Sequence, residues 1–445
     1  MDFPCEKRPV AHQICRTAFA AFSFATLTAL SASGAYATKA PLTLAEAQRR
    51  AVAHSRQLPA KDFAAIASRE SAIAAGQLPD PVLKFGVDNL PVTGADRFSV
   101  TRDFMTMRRV GVMQEITRAD KRRLREDSLN QTADKSLAEK EVATAAIERD
   151  TALAWLDLYY ANAMSAVIDE QVTQAKLEIQ AADGAYRAGR GSQADVFSAR
   201  SAAAGIDDRK SEFKRRILNA QTMLVRWIGN NSDLALAGKP DMDAIRLDPS
   251  TLDTQLAHHP EISVVNKQVD IAETEAKLAV ADKKSDWTVE VAFQQRGPAY
   301  SNMISVGVSI PFQWDPKNRQ DRQLASKLAL VDQAKSERDE MLRDHVAQTR
   351  VMINEWTNDR ERAARYKREL VPLAAQRTLA GIAAYRGGKT TVAEVLAARR
   401  NEIDVRLQAL QLQADTAKIW AQLNFLFPTT ASASHAGMDF TKDVK

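Results

Sequence analysis

Ala185-Tyr186-Arg187-Ala188-Gly189 runs on to Ala194-Asp195-Val196 and Ala199-Arg200. The same skeleton returns 199 positions later as Ala384-Tyr385-Arg386-Gly387-Gly388, then Ala393-Glu394-Val395 and Ala398-Arg399. Upstream, Val110-Gly111-Val112 and Lys121 match Val306-Gly307-Val308 and Lys317 at a shift of 196. Chance does not give two nearly equal shifts in the same order, so the chain is a duplication of one structural unit. The first repeat covers 38–228 and the second 252–428. Between them, 229–251 is rich in Asn, Asp, Gly and Pro and reads as a linker with local structure of its own; 429–445 is left as a C-terminal tail.

Each half has the same internal order. A helical stretch comes first, Leu44 to Gly76 and Leu252 to Lys283. A pair of short period-2 segments follows: Val82 to Asp88 with about Phe104 to Ile116, then Thr288 to Gln294 with Asn302 to Phe312. A very long helical region then runs to the Ala-Tyr-Arg motif, and a glycine-containing turn leads into a returning helix. No proline occurs between Val92 and Lys239, so Arg118 to Ala188 can run as one element of about 100 Å at 1.5 Å per residue. Apolar positions at 3-4 spacing (Leu153, Leu156, Tyr160, Ala163, Val167; Ile403, Leu407, Leu410, Ala414, Ala417, Ala421) form a seam that demands partner helices side by side. Helices alone would fit a coiled-coil scaffold.

The short segments exclude the scaffold. Ile304, Val306, Val308, Ile310 and Phe312 alternate with Met303, Ser305, Gly307, Ser309 and Pro311. Val289, Val291 and Phe293 alternate likewise, as do Leu83, Phe85 and Val87. One greasy face and one small or polar face mark a strand between lipid and water. Trp287 and Trp314 sit at strand ends, where an interfacial aromatic girdle belongs. Four strands cannot close a barrel, and open edges are not tolerated in hydrocarbon. Since the smallest single-chain barrels have about eight strands, protomers must pool theirs; three chains of four give about twelve.

Composition agrees. Of 445 residues, only 17 are glycine and 15 proline, and 26% are charged, a mixture suited to long helices. The net charge of +5 is spread with alternating sign, without the clustered basic patch and interleaved aromatics of a nucleic-acid surface. Residues 1–37 read as a signal peptide: Lys7, Arg8 and Arg16 are basic, Thr17 to Ala32 is uncharged and largely apolar, and Ala35-Tyr36-Ala37 offers a cleavage site. Both cysteines, Cys5 and Cys15, fall in that segment, so the exported chain is expected to carry no thiol, no disulfide and no lipid anchor. After it, no run of 18 apolar residues provides a spanning helix.

On these marks the chain resembles the TolC family of outer-membrane factors, over about residues 42–428. The paired Tyr-Arg-x-Gly turns followed by Asp-Val and Glu-Val are the most specific of them. Asp88-Asn89-Leu90-Pro91, Gly111, Gln114-Glu115 and Lys121-Arg122 point within the family to the heavy-metal branch, CzcC- and CusC-like, although the acylated N-terminal cysteine of many CusC-like members is missing. The resemblance implies a mainly α fold with a small β part. It would be a homotrimer whose twelve-stranded barrel stands in outer-membrane lipid and continues as a periplasmic helical barrel, with 229–251 as an equatorial linker. It also implies a passive efflux conduit, without cofactor, in a tripartite pump with a periplasmic membrane fusion protein and an inner-membrane RND transporter. The two turns would dock the fusion protein through Tyr186, Arg187, Gly189, Arg190, Tyr385, Arg386, Gly388 and Lys389. Read bare, they are two αα-hairpin turns that need glycine for geometry alone. Pro372 is expected to kink its helix near Glu369 to Pro372.

Other chemistry finds little support. No Ser/His/Asp order, Gly-rich phosphate loop or HExxH is present, and nothing points to an enzyme or to nucleic acid. His54, His258, His259, His345 and His435 show no ligand spacing, and the adjacent pair His258-His259 would point in different directions. Met105, Met107, Met113 and Met303 share the parity opposite the valines and would line the lumen as candidate thioether ligands for Cu(I) or Ag(I), though methionine also simply fills gaps. A channel for organic compounds or for type I protein secretion is the competing cargo assignment. An adhesin or coiled-coil scaffold would leave the strands unexplained.

Overall fold

The computed structural model describes residues 41–229 and 234–429. The expected signal segment 1–37 and all but the first residue of the 429–445 tail lie outside them, as does part of the linker. In chain order the elements are α1 (Leu44–His54), α2 (Gln57–Ala75), β1 (Val82–Asp88), β2 (Met107–Ile116), α3 (Ala119–Arg187), α4 (Gln193–Ile228), α5 (Leu252–Ala257), α6 (Pro260–Ala281), β3 (Trp287–Gln295), β4 (Met303–Ser309), α7 (Gln320–Arg365), a π-helical turn (Tyr366–Leu370), α8 (Val371–Arg386) and α9 (Val392–Asn424). The duplicated order of helix, hairpin and helical hairpin is therefore present.

Each opening helical stretch is two helices. In the second repeat the cause is Pro260, which lacks an N–H and drives the preceding residue out of the α region; His259 sits at φ −61°, ψ 139°. In the first, Ser55 is extended at φ −61°, ψ 133°, and its hydroxyl accepts from the Gln57 N–H at 3.2 Å, a local turn bond that competes with the helix. The long helix behaves as read: α3 holds 69 residues without a break, about 104 Å at 1.5 Å each.

The four strands form one antiparallel sheet in the order β1-β2-β3-β4. β2 starts later than expected, at Met107, because the Met105 N–H is taken at 2.8 Å by Asp103 Oδ1 in an Asx turn. β4 stops at Ser309, since Pro311 cannot donate to a ladder. The sheet is fastened to the helices by Lys121, buried at the start of α3, whose Nζ reaches Asp286 Oδ2 at 2.8 Å; the Arg118 N–H donates to Asp286 Oδ1 at 2.9 Å. The main core lies away from the sheet, where α1, α3, α4, α5, α7 and α9 converge on Trp155, Leu156, Leu158, Leu224, Leu252, Leu256 and Leu423. The linker closes it with structure of its own. Leu42 bridges Leu236 in parallel, Trp155 Nε1 donates to the Leu42 carbonyl at 3.0 Å, and Trp420 Nε1 donates to that of Ala244 at 2.9 Å.

Candidate functional site

The register of the sheet turns sequence alternation into continuous rows. Phe85, Val110, Phe293 and Ile304 stand side by side across all four strands, and Leu83, Val112, Val291 and Val306 form the next row of the same face. Among the described residues these side chains are all exposed, Phe85 at 71% and Ile304 at 73%. Trp287 and Trp314 are exposed as well.

The opposite face is small and charged. One row is Lys84, Gly111, Ala292 and Ser305; the next is Gly86, Arg109, Gln294 and Met303. Lys84 Nζ bonds Glu290 Oε2 at 2.8 Å, Arg109 also pairs with Glu290, and Asp88 stands 3.8 Å from Arg109. Gly111 is required by close approach, since a Cβ there would stand 2.9 Å from the Ala292 Cβ. Met107, Met113 and Met303 lie on this face, as their parity implies. Met105 does not belong to a strand, which corrects its placement on β2. Nor do the other three converge. Met113 is opposite Val82 and Glu290, Met107 opposite Asp88, and Met303 opposite Gln294 on another strand pair. Met107 and Met113 are roughly 20 Å apart along β2 at 3.3–3.4 Å per residue.

About 100 Å of α3 separates this sheet from the first glycine turn, and the two turns are built alike. The Gly189 N–H donates to the Tyr186 carbonyl at 3.0 Å and the Arg190 N–H to that of Ala185 at 2.9 Å; Gly388 to Tyr385 and Lys389 to Ala384 repeat the pattern at 3.0 and 2.9 Å. Both are Schellman caps, with Gly189 and Gly388 left-handed at φ +68° and +69°. The helices leaving them are capped by Ser192, in a reciprocal box with Asp195, and by Thr391. A small apolar cluster of Ala182, Val196, Ala199 and Leu396 joins the two hairpins just behind the turns, so the structure brings the eight proposed docking residues to one end. Arg187, Arg190, Arg386 and Lys389 are exposed there, with Arg187 paired to Asp183 at 2.7 Å. Just before Pro372, residues Tyr366–Leu370 form a π-turn, closed by the Val371 N–H on the Tyr366 carbonyl.

One cluster escaped the sequence reading. His259, Glu261 and His345 each bring a ligand atom within 4.8 Å of the others, although His345 lies far along the chain on α7. Burial, helped by the neighbouring His345, pushes His259 down to about 4, so its imidazole is neutral near pH 7. Among the described residues no helix is long and apolar enough to cross a membrane, which says nothing of a β-barrel.

A duplicated chain with one antiparallel hairpin per repeat, continued by long paired helical hairpins, has the fold of the TolC-like outer-membrane factor channels. Among solved structures, the chain is similar to the outer-membrane channel OprN, with a TM-score of 0.72 and 16% identity over 86% of this chain and 90% of that one. It is similar to the outer membrane protein VceC from Vibrio cholerae at TM-score 0.69 and 17% identity, covering 86% and 95%. It is also similar to CusC, described for its transmembrane channel formation, at TM-score 0.72 and 13% identity, covering 86% and 92%. Identities this low speak for the fold alone. No family model matches the sequence, and no curated protein matches it either.

Proposed function

We propose that this chain is the outer-membrane channel of a tripartite RND-type efflux system, a passive conduit and not an enzyme, with heavy-metal cations as its cargo. The observation that carries the reading is the pair of uninterrupted, exposed apolar rows on a sheet whose edge strands β1 and β4 have no further strand partner among the described residues. In water such a surface aggregates; in lipid it is the outer wall of a barrel. Because the strand number per chain is even, β4 of one copy meets β1 of the next in antiparallel sense, and three copies of four strands close a ring of about twelve. The charged face then lines the lumen, and the helices extend into the periplasm. The paired turns, exposed, basic and about 100 Å away, dock a membrane fusion protein joined to an inner-membrane RND transporter.

The metal assignment follows from the branch resemblance and from the lumen-facing methionines. One observation favours the alternative, a channel for organic compounds or type I protein secretion: the methionines do not converge on one site. Growth of a deletion strain, with and without the restored gene, on Cu, Ag, Zn, Cd, Co and Ni and on a panel of hydrophobic drugs separates the two. Loss of metal tolerance alone is the expected result. Loss of drug tolerance alone would move the cargo to organic compounds, and no loss of either would sink the efflux reading.

A further inference from the structure

We propose that His259, Glu261 and His345 form a binding site for a borderline divalent cation of the Zn2+ type, linking the start of α6 to α7. His345 Nε2 stands 2.9 Å from Glu261 Oε2, the two imidazole rings lie 4.7 Å apart between centroids, and all three ligand atoms fall within 4.8 Å. Two imidazoles and one carboxylate are a nitrogen–oxygen set that suits Zn2+, with a position left for water. Bonds of about 2.0–2.1 Å would space ligand atoms roughly 3.3 Å apart, so small side-chain rotations close the set. His259 is 5% exposed and held edge-on by Phe427 at 5.5 Å, while Glu261 faces solvent and leaves an entry path.

Two features compete with a cation, and neither fills the site. His259 Nδ1 accepts the Glu261 N–H at 3.3 Å as the cap of α6, and the ring also meets the Leu426 carbonyl, so coordination must displace one of these bonds. Arg149 is the near cation, and its Nε is engaged by Asp150 at 3.0 Å. The break between helices does not itself require the trio. The equivalent N-cap in the first repeat is Arg56, without any side-chain cap bond.

The inference is independent of the channel's cargo, because binding is read on purified protein. Untagged full-length protein in detergent, stripped with a chelator and dialysed, is titrated with Zn2+ by calorimetry and with Co2+ by visible absorption. One saturable Zn2+ per chain is expected, with ligand-field bands of low-coordinate Co2+. His345→Gln and Glu261→Gln, which both keep the His259 cap, should each weaken Zn2+ binding at least about tenfold while circular dichroism stays unchanged. Absence of saturable Zn2+ binding would overturn the proposal. So would wild-type affinity in both variants, which would assign the ion to another surface.

Discussion

At Gly189 and Gly388 a side chain would meet open space, since among the described residues no atom beyond the chain neighbours lies within 4 Å of the Cβ position. Only the left-handed backbone resists substitution, at about 1–2 kcal/mol per position. The double variant Gly189→Val, Gly388→Val should therefore assemble normally and still abolish efflux, because the strained caps re-aim the docking surface. Undiminished resistance in a complemented strain would remove docking from these turns. A few turns behind, Arg399 bridges Glu178 at 3.3 Å and Glu402 at 3.4 Å, with all three side chains largely buried. Arg399→Ala leaves two carboxylates without a partner and should cost about 3 kcal/mol, read as a lowered unfolding temperature. Burial pushes Glu178 up against the pull of Arg399, so in the pH window just above 4.5 the folded state keeps the proton longer than the unfolded chain does. Its contribution to stability thus falls as pH rises above 4.5, and Glu178→Gln should flatten the pH profile there. The glycine turns were legible because the repeat prints them twice. The histidine cluster was not, because His259 and His345 come together only through the packing of α6 on α7.

Strand alternation was the most legible element-scale signal, since a period of two places Val110, Val112, Val291, Val306 and Val308 on one side whatever the partner. What alternation could not give was where the strands end. Asp103 and Pro311 set those ends through side-chain and ring chemistry, and they trimmed both expected hairpins. The parity itself is open to a direct check. Cysteines at Val110, Val112, Val306 and Val308 should be shielded by lipid, and cysteines at Met107, Met113 and Met303 should react with a hydrophilic thiol reagent. Labelling of the valine positions in intact cells would reverse the sheet. In the helices, Pro372 announced an irregularity without its form. With no N–H to offer the Arg368 carbonyl, and a ring that crowds it, Pro372 follows a π-turn at Tyr366–Leu370. Pro372→Ala should let the turn revert to α-helix and loosen closure of the periplasmic end, read as sensitivity to large antibiotics. Unchanged sensitivity at normal expression would reduce the turn to packing.

At the scale of the molecule, the helices and the sheet of one chain differ in how much apolar surface they cover. Its core joins six helices and the linker, yet among the described residues its sheet exposes two apolar rows and leaves two edges without a strand partner. Long helices and duplication were readable from the chain alone. The number of copies is a property of curvature and of contacts between chains, which no single sequence prints. The central claim is therefore the closed barrel, and cryo-electron microscopy of protein extracted in mild detergent counts its strands directly. Three copies around one axis, with β4 of each beside β1 of the next in a ring of about twelve strands, is the predicted result. A monodisperse single chain whose sheet edges remain open would contradict the account.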